Sequence, residues 1–359
     1  MGAEEMRVYL DSPAAAAAEV VKKKGKVCVT GGAGFVASWL VKKLLEGGYS
    51  VRATVRSDPK FKEETGHLTS LPGASDNLEI FDADLTRPES FVPVVEGCVG
   101  VFHVATPTDF GAEDYDQKAA RVAVEGVLGV LRACAASGTV RRVMYTSSAS
   151  AVVFSGGANS VGKEQGGGTV VLDESVWTDE EFCRAQDVPI AAYFVSKTLA
   201  ERAALDFGAE HGLDVVTVLP SSVVGPFLVP HFPTSYVTSL ALLRGDREHC
   251  KLLRSMQFVH IDDVAAAHIF LFECPDVRPG RYLCSAADTT IRSLAGLLRT
   301  RFPEFHIPDE LVGGEDGKDE EPTVRLSSEK LKGLGFEFRC GLEEMFEGAV
   351  HCCKQKGFL

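Results

Sequence analysis

The strongest constraint on the fold of this chain is a short glycine-rich turn set between two different periodicities. Lys26-Val27-Cys28-Val29-Thr30 is an apolar, β-branched run that reads as a buried strand. Gly31-Gly32-Ala33-Gly34 follows, and Phe35 to Glu46 then carries a helical pattern that stops at Gly47-Gly48. Strand, tight turn and helix in that order make a seat for a dinucleotide. The glycines let backbone approach a pyrophosphate with no Cβ in the way, and the helix start offers N–H groups and the positive end of its dipole. Ala37 stands where a third small residue packs helix against strand.

The alternation continues downstream. Ser50 to Val55, Leu78 to Phe81, Val99 to Val104, Arg142 to Ser147 and Val215 to Leu219 read as strands. Helical stretches at Pro88 to Val95, Asp116 to Ala136 and Ala192 to Glu210 separate most of them. Strands alternating with helices of this length predict parallel strands joined by right-handed crossovers, hence an α/β, doubly wound sheet. After Pro220 the pattern loosens through Pro226, Pro230 and Pro233. Helices recur at Thr234 to Arg244, Asp262 to Glu273, Ile291 to Arg301, Ser328 to Leu334 and Leu342 to Lys356. The expected organisation is a disordered N-terminal arm at 1–24, a cofactor-binding domain at 25–220, and a smaller, mostly helical substrate lobe at 221–359. Gln257 to Ile261 and Gly280 to Cys284 are candidates to return to the sheet. Ser155 to Gly168, rich in Gly, Ser and Asn, reads as a surface loop.

Composition excludes several partner classes. A net charge of -13 over 359 residues argues against nucleic acid or an anionic membrane as partner. No run approaches the ~20 apolar residues of a membrane span. The N-terminus lacks the order of a signal peptide, so the ten cysteines read as reduced thiols of a cytoplasmic protein. None is spaced as a pair of zinc-binding pairs, and no metal is expected. Cys352 and Cys353 read as small apolar residues on the last helix.

The second strand ends in Arg56, with no acidic residue before it. An acid there would bind ribose hydroxyls, whereas Arg grips a 2′-phosphate, so NADP(H) is the expected cofactor unless Arg56 is a plain surface arginine. Lys60 or Lys62 can add a second charge. Asp84-Leu85 is placed for the adenine edge, or Asp84 is a turn aspartate. Tyr193 and Lys197 are four residues apart and share a helix face. A free Tyr, with a pKa near 10, is a poor acid at neutral pH, and a neighbouring ammonium lowers it. Ser148 follows the Arg142 to Ser147 strand, at the sheet edge that carries the Gly turn. A hydroxyl there can hold a substrate carbonyl oxygen against Tyr193.

Together the T-G-x-x-G turn, the strand-end Ser and the Y-x-x-x-K helix resemble the extended short-chain dehydrogenase/reductases, whose nucleotide-binding part is a Rossmann sheet. The resemblance runs from about Lys26 to the C-terminus. More narrowly, the chain resembles the plant dihydroflavonol 4-reductase group, on its flavanone 4-reductase and vestitone reductase side. The phrases that carry this are Val51 to Arg56, Leu71-Pro72-Gly73-Ala74, Val101 to Pro107, Leu172-Asp173-Glu174-Ser175, Tyr193 to Glu201, Gln257 to His260, Leu334-Gly335-Phe336 and Cys352-Cys353-Lys354. The resemblance implies a catalytic triad of Ser148, Tyr193 and Lys197. It implies cofactor contacts from Gly31, Gly34, Phe35, Val36, Arg56, Asp84, Leu85, Val104, Thr106, Pro220 and Val223. Gln257 matches a position that faces the flavonoid. The group's dihydroflavonol enzymes commonly carry Asn five residues after the catalytic Ser; Val153 stands here, which removes a polar contact to substrate hydroxyls. The stretch before Lys197 differs from the cinnamoyl-CoA reductase pattern.

The implied reaction is NADPH-dependent reduction of a flavonoid 4-ketone, of a flavanone or dihydroflavonol. Reduction of an anthocyanidin or isoflavanone is the nearest alternative, and an NADPH-binding regulator without turnover is the alternative from another class. Phe154, Phe194, Phe227 and Tyr236 are open to two readings, an aromatic substrate pocket or core packing.

Overall fold

The computed structural model describes residues 24–56, 65–107, 115–154, 169–185, 191–253, 255–312 and 324–359. The expected arm up to residue 23, the loop at 155–168, Lys60 and Lys62 lie outside the described residues. In chain order the strands are β1 (Lys26–Thr30), β2 (Ser50–Val55), β3 (Leu78–Asp82), β4 (Gly100–His103), β5 (Arg142–Thr146), β6 (Val170–Leu172), β7 (Asp214–Pro220), β8 (Ser222–Val224), β9 (Ser255–His260), β10 (Gly280–Cys284), β11 (Ala287–Thr290) and β12 (Val324–Leu326). The longer helices are α1 (Phe35–Glu46), α2 (Tyr115–Ser137), α3 (Ala191–His211), α4 (Ile261–Glu273), α5 (Ile291–Arg301) and α6 (Leu342–Gln355).

Seven strands form one sheet in the order β3-β2-β1-β4-β5-β7-β10, every neighbouring pair parallel. The order reverses direction between β1 and β4. That reversal opens a crevice at the carboxyl ends of the strands, where doubly wound folds bind their ligands.

Both faces of the sheet's centre are covered, so β1, β4, β5 and β7 are apolar at successive positions, while β2 and β3 at one edge keep polar residues such as Arg52 and Glu79. Val27, Val29, Phe102, Met144, Val216 and Val218 point to the layer of α1 and α4, while Cys28, Val101, Val143, Tyr145 and Val215 point to that of α2 and α3. Leu40, Val41 and Leu44 of α1 are wholly buried. Each such side chain stabilises the fold by ~1.5–3 kcal/mol, which fixes α1 and with it the glycine turn. Trp39 Nε1 donates to Asp262 Oδ1 at 3.0 Å and Lys43 pairs with the same carboxylate at 3.1 Å, tying α1 to α4. A Cβ at Gly100 would stand 2.2 Å from the Phe272 ring, so α4 reaches β4 only because that residue has no side chain.

The C-terminal third is less purely helical than its pattern suggested. β10 does return to the main sheet, beside β7. The strand expected at Gln257 does not: β9 joins a separate three-stranded sheet, parallel to β8 and antiparallel to β11. β6 and β12 form a further parallel pair. The long helix expected over Thr234 to Arg244 is broken into Tyr236–Ser239 and Ala241–Arg244. Phe227 and Tyr236 are core, not pocket: they are 3% and 0% exposed, and the Tyr236 hydroxyl is bonded to the Gly225 backbone.

Candidate active site

Thr30, the last residue of β1, organises the glycine turn. Its Oγ1 accepts the N–H groups of Val104 at 3.1 Å and Ala105 at 3.0 Å, and lies 2.8 Å from His103 Nδ1. With two N–H groups accepted, the hydroxyl proton goes to Nδ1. Burial, and then the charge of Lys197, push His103 down to about 3, so the ring is neutral and can accept. On the other side, Gly31 N–H donates to Thr54 Oγ1 at 3.1 Å and Gly32 N–H to the Thr54 carbonyl at 2.7 Å. The turn is thus clamped between the ends of β2 and β4.

No side chain fits inside that clamp. Gly31 has φ +70°, and a Cβ on it would lie 3.0 Å from Ala105 Cα. A Cβ on Gly32 would lie 2.9 Å from Ala53 Cβ. α1 begins directly after Gly34, with no side-chain cap and no acidic residue in its first turn. Phe35 packs edge-on against Tyr236 at 5.4 Å, and Val36 follows it into the helix. A bare turn leading into an uncapped helix start fits a pyrophosphate. Arg56 is exposed two residues beyond Thr54, so it stands at the rim of the same turn. Pro220 ends β7 and Val223 lies in β8, both buried. Asp84 Oδ1 accepts from the N–H and the hydroxyl of Thr86, both at 2.8 Å. Leu85 packs beside Gly126 of α2.

The triad candidates meet at the same edge. Lys197 is 4% exposed, and its Nζ donates to Thr106 Oγ1 at 2.7 Å and to the Thr146 carbonyl at 3.0 Å. Burial lowers it to about 8, against the opposing pull of Glu201. Lys197 therefore bridges the segment that follows β4 and the end of β5. Ser148 is two residues beyond Thr146 and caps the turn Ala149–Ala151, its Oγ accepting from Ser150 N–H at 3.1 Å. That bond leaves the hydroxyl proton for another acceptor. Tyr193, one helical turn before Lys197, is half-buried in the mostly buried α3 and meets the edge of the Phe194 ring at 6.1 Å.

The substrate candidates are less closely gathered. Phe194 packs on Phe154 at 4.8 Å, both half-buried, beside the Ser148 turn. Val153 closes that turn, its N–H donating to the Ala149 carbonyl at 3.1 Å. Gln257 is 8% exposed on β9, and its Nε2 donates to the Val324 carbonyl at 2.8 Å. Its amide thus ties β9 to β12. Two residues to which the sequence assigned no role are Glu201 and Arg281. They form a buried ion pair at 3.1 Å, and Glu201 also accepts from Ser147 Oγ at 2.9 Å. The spacing 193, 197, 201 was the available sign of Glu201. Nothing local marked Arg281. Among the described residues no group of His, Cys, Asp or Glu is placed to hold a metal ion, and no helix is long and apolar enough to cross a membrane.

The model of the NAD dependent epimerase/dehydratase family matches residues 27–284. This chain belongs to that family. Among epimerase/dehydratase relatives, the dihydroflavonol 4-reductase of Zea mays is 48% identical over 338 residues, which cover 94% of this chain and 90% of that protein. The bifunctional dihydroflavonol 4-reductase/flavanone 4-reductase of Malus domestica is 44% identical over 333 residues, covering 93% and 91%. The crystal structure of vestitone reductase from alfalfa, Medicago sativa, superposes with a TM-score of 0.79 at 43% identity, covering 94% of this chain and all of that one. The resemblance drawn from the motifs is to this same part of the family.

Proposed function

We propose that this chain is an NADP(H)-dependent oxidoreductase that reduces the 4-ketone of a flavanone or dihydroflavonol to the 4-alcohol. The observation that carries the reading is the placement of Lys197. Its ammonium sits at the carboxyl edge of the sheet, bonded to Thr106 and Thr146, with Ser148 two residues beyond Thr146, Tyr193 one helical turn before Lys197, and the bare Gly31 turn at the end of β1. The flavonoid substrate class rests on the maize, apple and alfalfa relatives.

In this reading the turn at Gly31 to Gly34 and the start of α1, with Phe35 and Val36, hold the pyrophosphate, and Arg56 grips the 2′-phosphate. Two of the three N–H donors of Lys197 are already engaged, and the third is available to the nicotinamide ribose. NADPH, when bound, supplies the hydride. Ser148 donates its hydroxyl proton to the ketone oxygen and fixes it. Tyr193 gives its proton to that oxygen as negative charge grows there, and the Lys197 ammonium stabilises the phenolate left behind. Val153 and Phe194 face the part of the substrate beyond the carbonyl. With Val153 in place of Asn, a substrate without a 3-hydroxyl loses nothing at that point, which favours flavanones.

The test is turnover with NADPH on naringenin, a dihydroflavonol, an isoflavanone and an anthocyanidin, with products identified. A 4-alcohol from naringenin or the dihydroflavonol is expected. Reduction of the anthocyanidin alone overturns the choice of bond, and NADPH binding without any turnover favours the regulator instead.

A further inference from the structure

Beneath the triad lies a pair that the reaction as described does not use. Arg281, on β10, is 6% exposed and Glu201, on α3, is wholly buried. All five guanidinium N–H groups are engaged. Nε donates to Glu201 Oε1 at 3.1 Å, and Nη2 to Glu201 Oε2 at 3.3 Å and to the Ala151 carbonyl at 3.1 Å. Nη1 donates to the carbonyls of Glu174 at 2.9 Å and Val176 at 2.6 Å. The guanidinium also lies 3.5 Å from the Trp177 ring centroid. Glu201 in turn accepts from Ser147 Oγ at 2.9 Å and from Thr217 Oγ1 at 2.5 Å.

Ser148 is therefore bracketed. The residue before it is tied to Glu201, and the turn it caps is tied through Ala151 to Arg281. Glu201 itself is one helical turn beyond Lys197 and two beyond Tyr193. The hydroxyl that would hold the ketone and the helix that would protonate it belong to different elements. Alongside the Lys197 bond to the Thr146 carbonyl, this pair links the segment after β5 to α3.

We propose that the buried Glu201–Arg281 pair is the positioning element of the active site: it sets Ser148 against Tyr193 and Lys197. The proposal rests on the reading of Ser148, Tyr193 and Lys197 as the reacting groups. The charged and titratable groups around Lys197 agree with it. His103 on β4 is neutral, and Tyr145 on β5, with its ring 5.5 Å from Nζ, is pushed up by burial and by Glu201. Tyr193 and Glu201 share the helix, and Glu201 opposes the effect of burial on Lys197. A buried ion pair adds little net stability over apolar groups of the same shape. Its value here is geometric and electrostatic.

Two variants of the full chain separate these effects. Glu201→Gln keeps the shape and removes the charge; Ser147→Ala keeps the charge and removes the tie to the strand end. NADPH binding by fluorescence, melting temperature, and kcat and KM from about pH 6 to 10 are measured for each. Glu201→Gln is expected to bind NADPH near wild-type strength and to lose kcat by up to ~10²-fold, the loss that a misplacement of about 1 Å brings. Its alkaline limb moves to lower pH, because Lys197 gives up its proton sooner. Ser147→Ala is expected to lose kcat with the ketone KM and the alkaline limb unmoved. Wild-type kcat and pH limbs in Glu201→Gln, with only the melting temperature lowered, overturn the proposal. If Glu201→Gln does not fold, wild-type kcat in Ser147→Ala overturns it. Tyr193→Phe is run beside them: full turnover from that variant defeats the underlying triad reading, whereas its inactivity beside an unaffected Glu201→Gln defeats the positioning role alone.

Discussion

Adding one methyl group to the glycine turn at two positions should separate stability from cofactor binding. Gly31 and Gly34 differ in what an alanine would meet. At Gly31, φ is +70° and the new Cβ lies 3.0, 3.1 and 3.3 Å from Cα, Cβ and N of Ala105. The left-handed backbone alone costs about 1–2 kcal/mol for an L-residue. The contact with backbone just after β4 adds roughly another 1 kcal/mol of overpacking. Gly31→Ala should therefore lower stability by ~2–3 kcal/mol, a melting shift of about 5 °C or more in a chain of this size. At Gly34 the backbone is extended, with φ -81° and ψ 165°, and the new Cβ meets only the Gly31 carbonyl at 3.2 Å. Exchanging Gly for Ala at that N-cap position costs about 0.5–1 kcal/mol. The methyl does, however, enter the space in which a pyrophosphate would approach the start of α1. An expected loss of ~2–3 kcal/mol in binding is a weakening on the order of 10²-fold. Titration with NADPH and melting with and without it decide the matter. At about 100 Kd the ligand stabilises the native state by ~2.7 kcal/mol, a gain that Gly34→Ala should forfeit. Wild-type NADPH affinity in Gly34→Ala would refute the placement of the pyrophosphate.

Tyr193→Phe should fold and bind NADPH but lose turnover by ~10²–10⁴-fold, the usual worth of a positioned proton donor; near-normal activity from it removes the proposed chemistry. Arg56→Glu should raise the KM for NADPH by about tenfold or more and leave that for NADH unchanged or lower, because an acid repels the 2′-phosphate and accepts ribose hydroxyls. Equal effects on both nucleotides argue against the 2′-phosphate site. Turnover should fall as pH rises through about 8, since Lys197 is charged only below that value. Because its folded value lies below the ordinary 10.5, the unfolded chain holds this proton more firmly between about 8 and 10.5. The stability contribution of Lys197 therefore rises with pH across that window, and denaturant melts at pH 8 and 10 report its sign. Val153→Asn should shift preference toward the dihydroflavonol by restoring a polar contact to its 3-hydroxyl, measured as the ratio of kcat/KM for the two ketones.

The centre of the sheet was legible because β1, β4, β5 and β7 each carry a burial pattern strong enough to stand alone. Lys26 to Thr30, Ser50 to Val55 and the helix from Phe35 to Glu46 appear where the apolar runs placed them. β6, β8 and β12 were not seen, because three residues are too few to show a period of two. The helix expected over Thr234 to Arg244 reads as one apolar stripe, but its two single turns are set by tertiary packing of Tyr236 and Leu240 in the lobe core. The motif residues of the site were legible for the same local reason: Gly31, Ser148, Tyr193 and Lys197 each sit beside a strand or on a helix face that the pattern identified. Asp84 was open to two roles, and its Oδ1 bonds to Thr86 do not choose between them. Arg281 lies 80 residues from Glu201 in the chain, and no spacing rule reaches across that distance.

The position of β10 also bears on the order in which the protein becomes complete during synthesis. β7 has β5 on one side from the moment it forms, but its other edge stays unpaired until Gly280 to Cys284 has left the ribosome. At about 5–20 residues per second that interval lasts seconds, and an open strand edge is the surface on which nascent chains associate wrongly. The same strand delivers the guanidinium that closes the network under Ser148. A nascent chain stopped before it would carry every motif residue of the site and still lack the brace that aligns them.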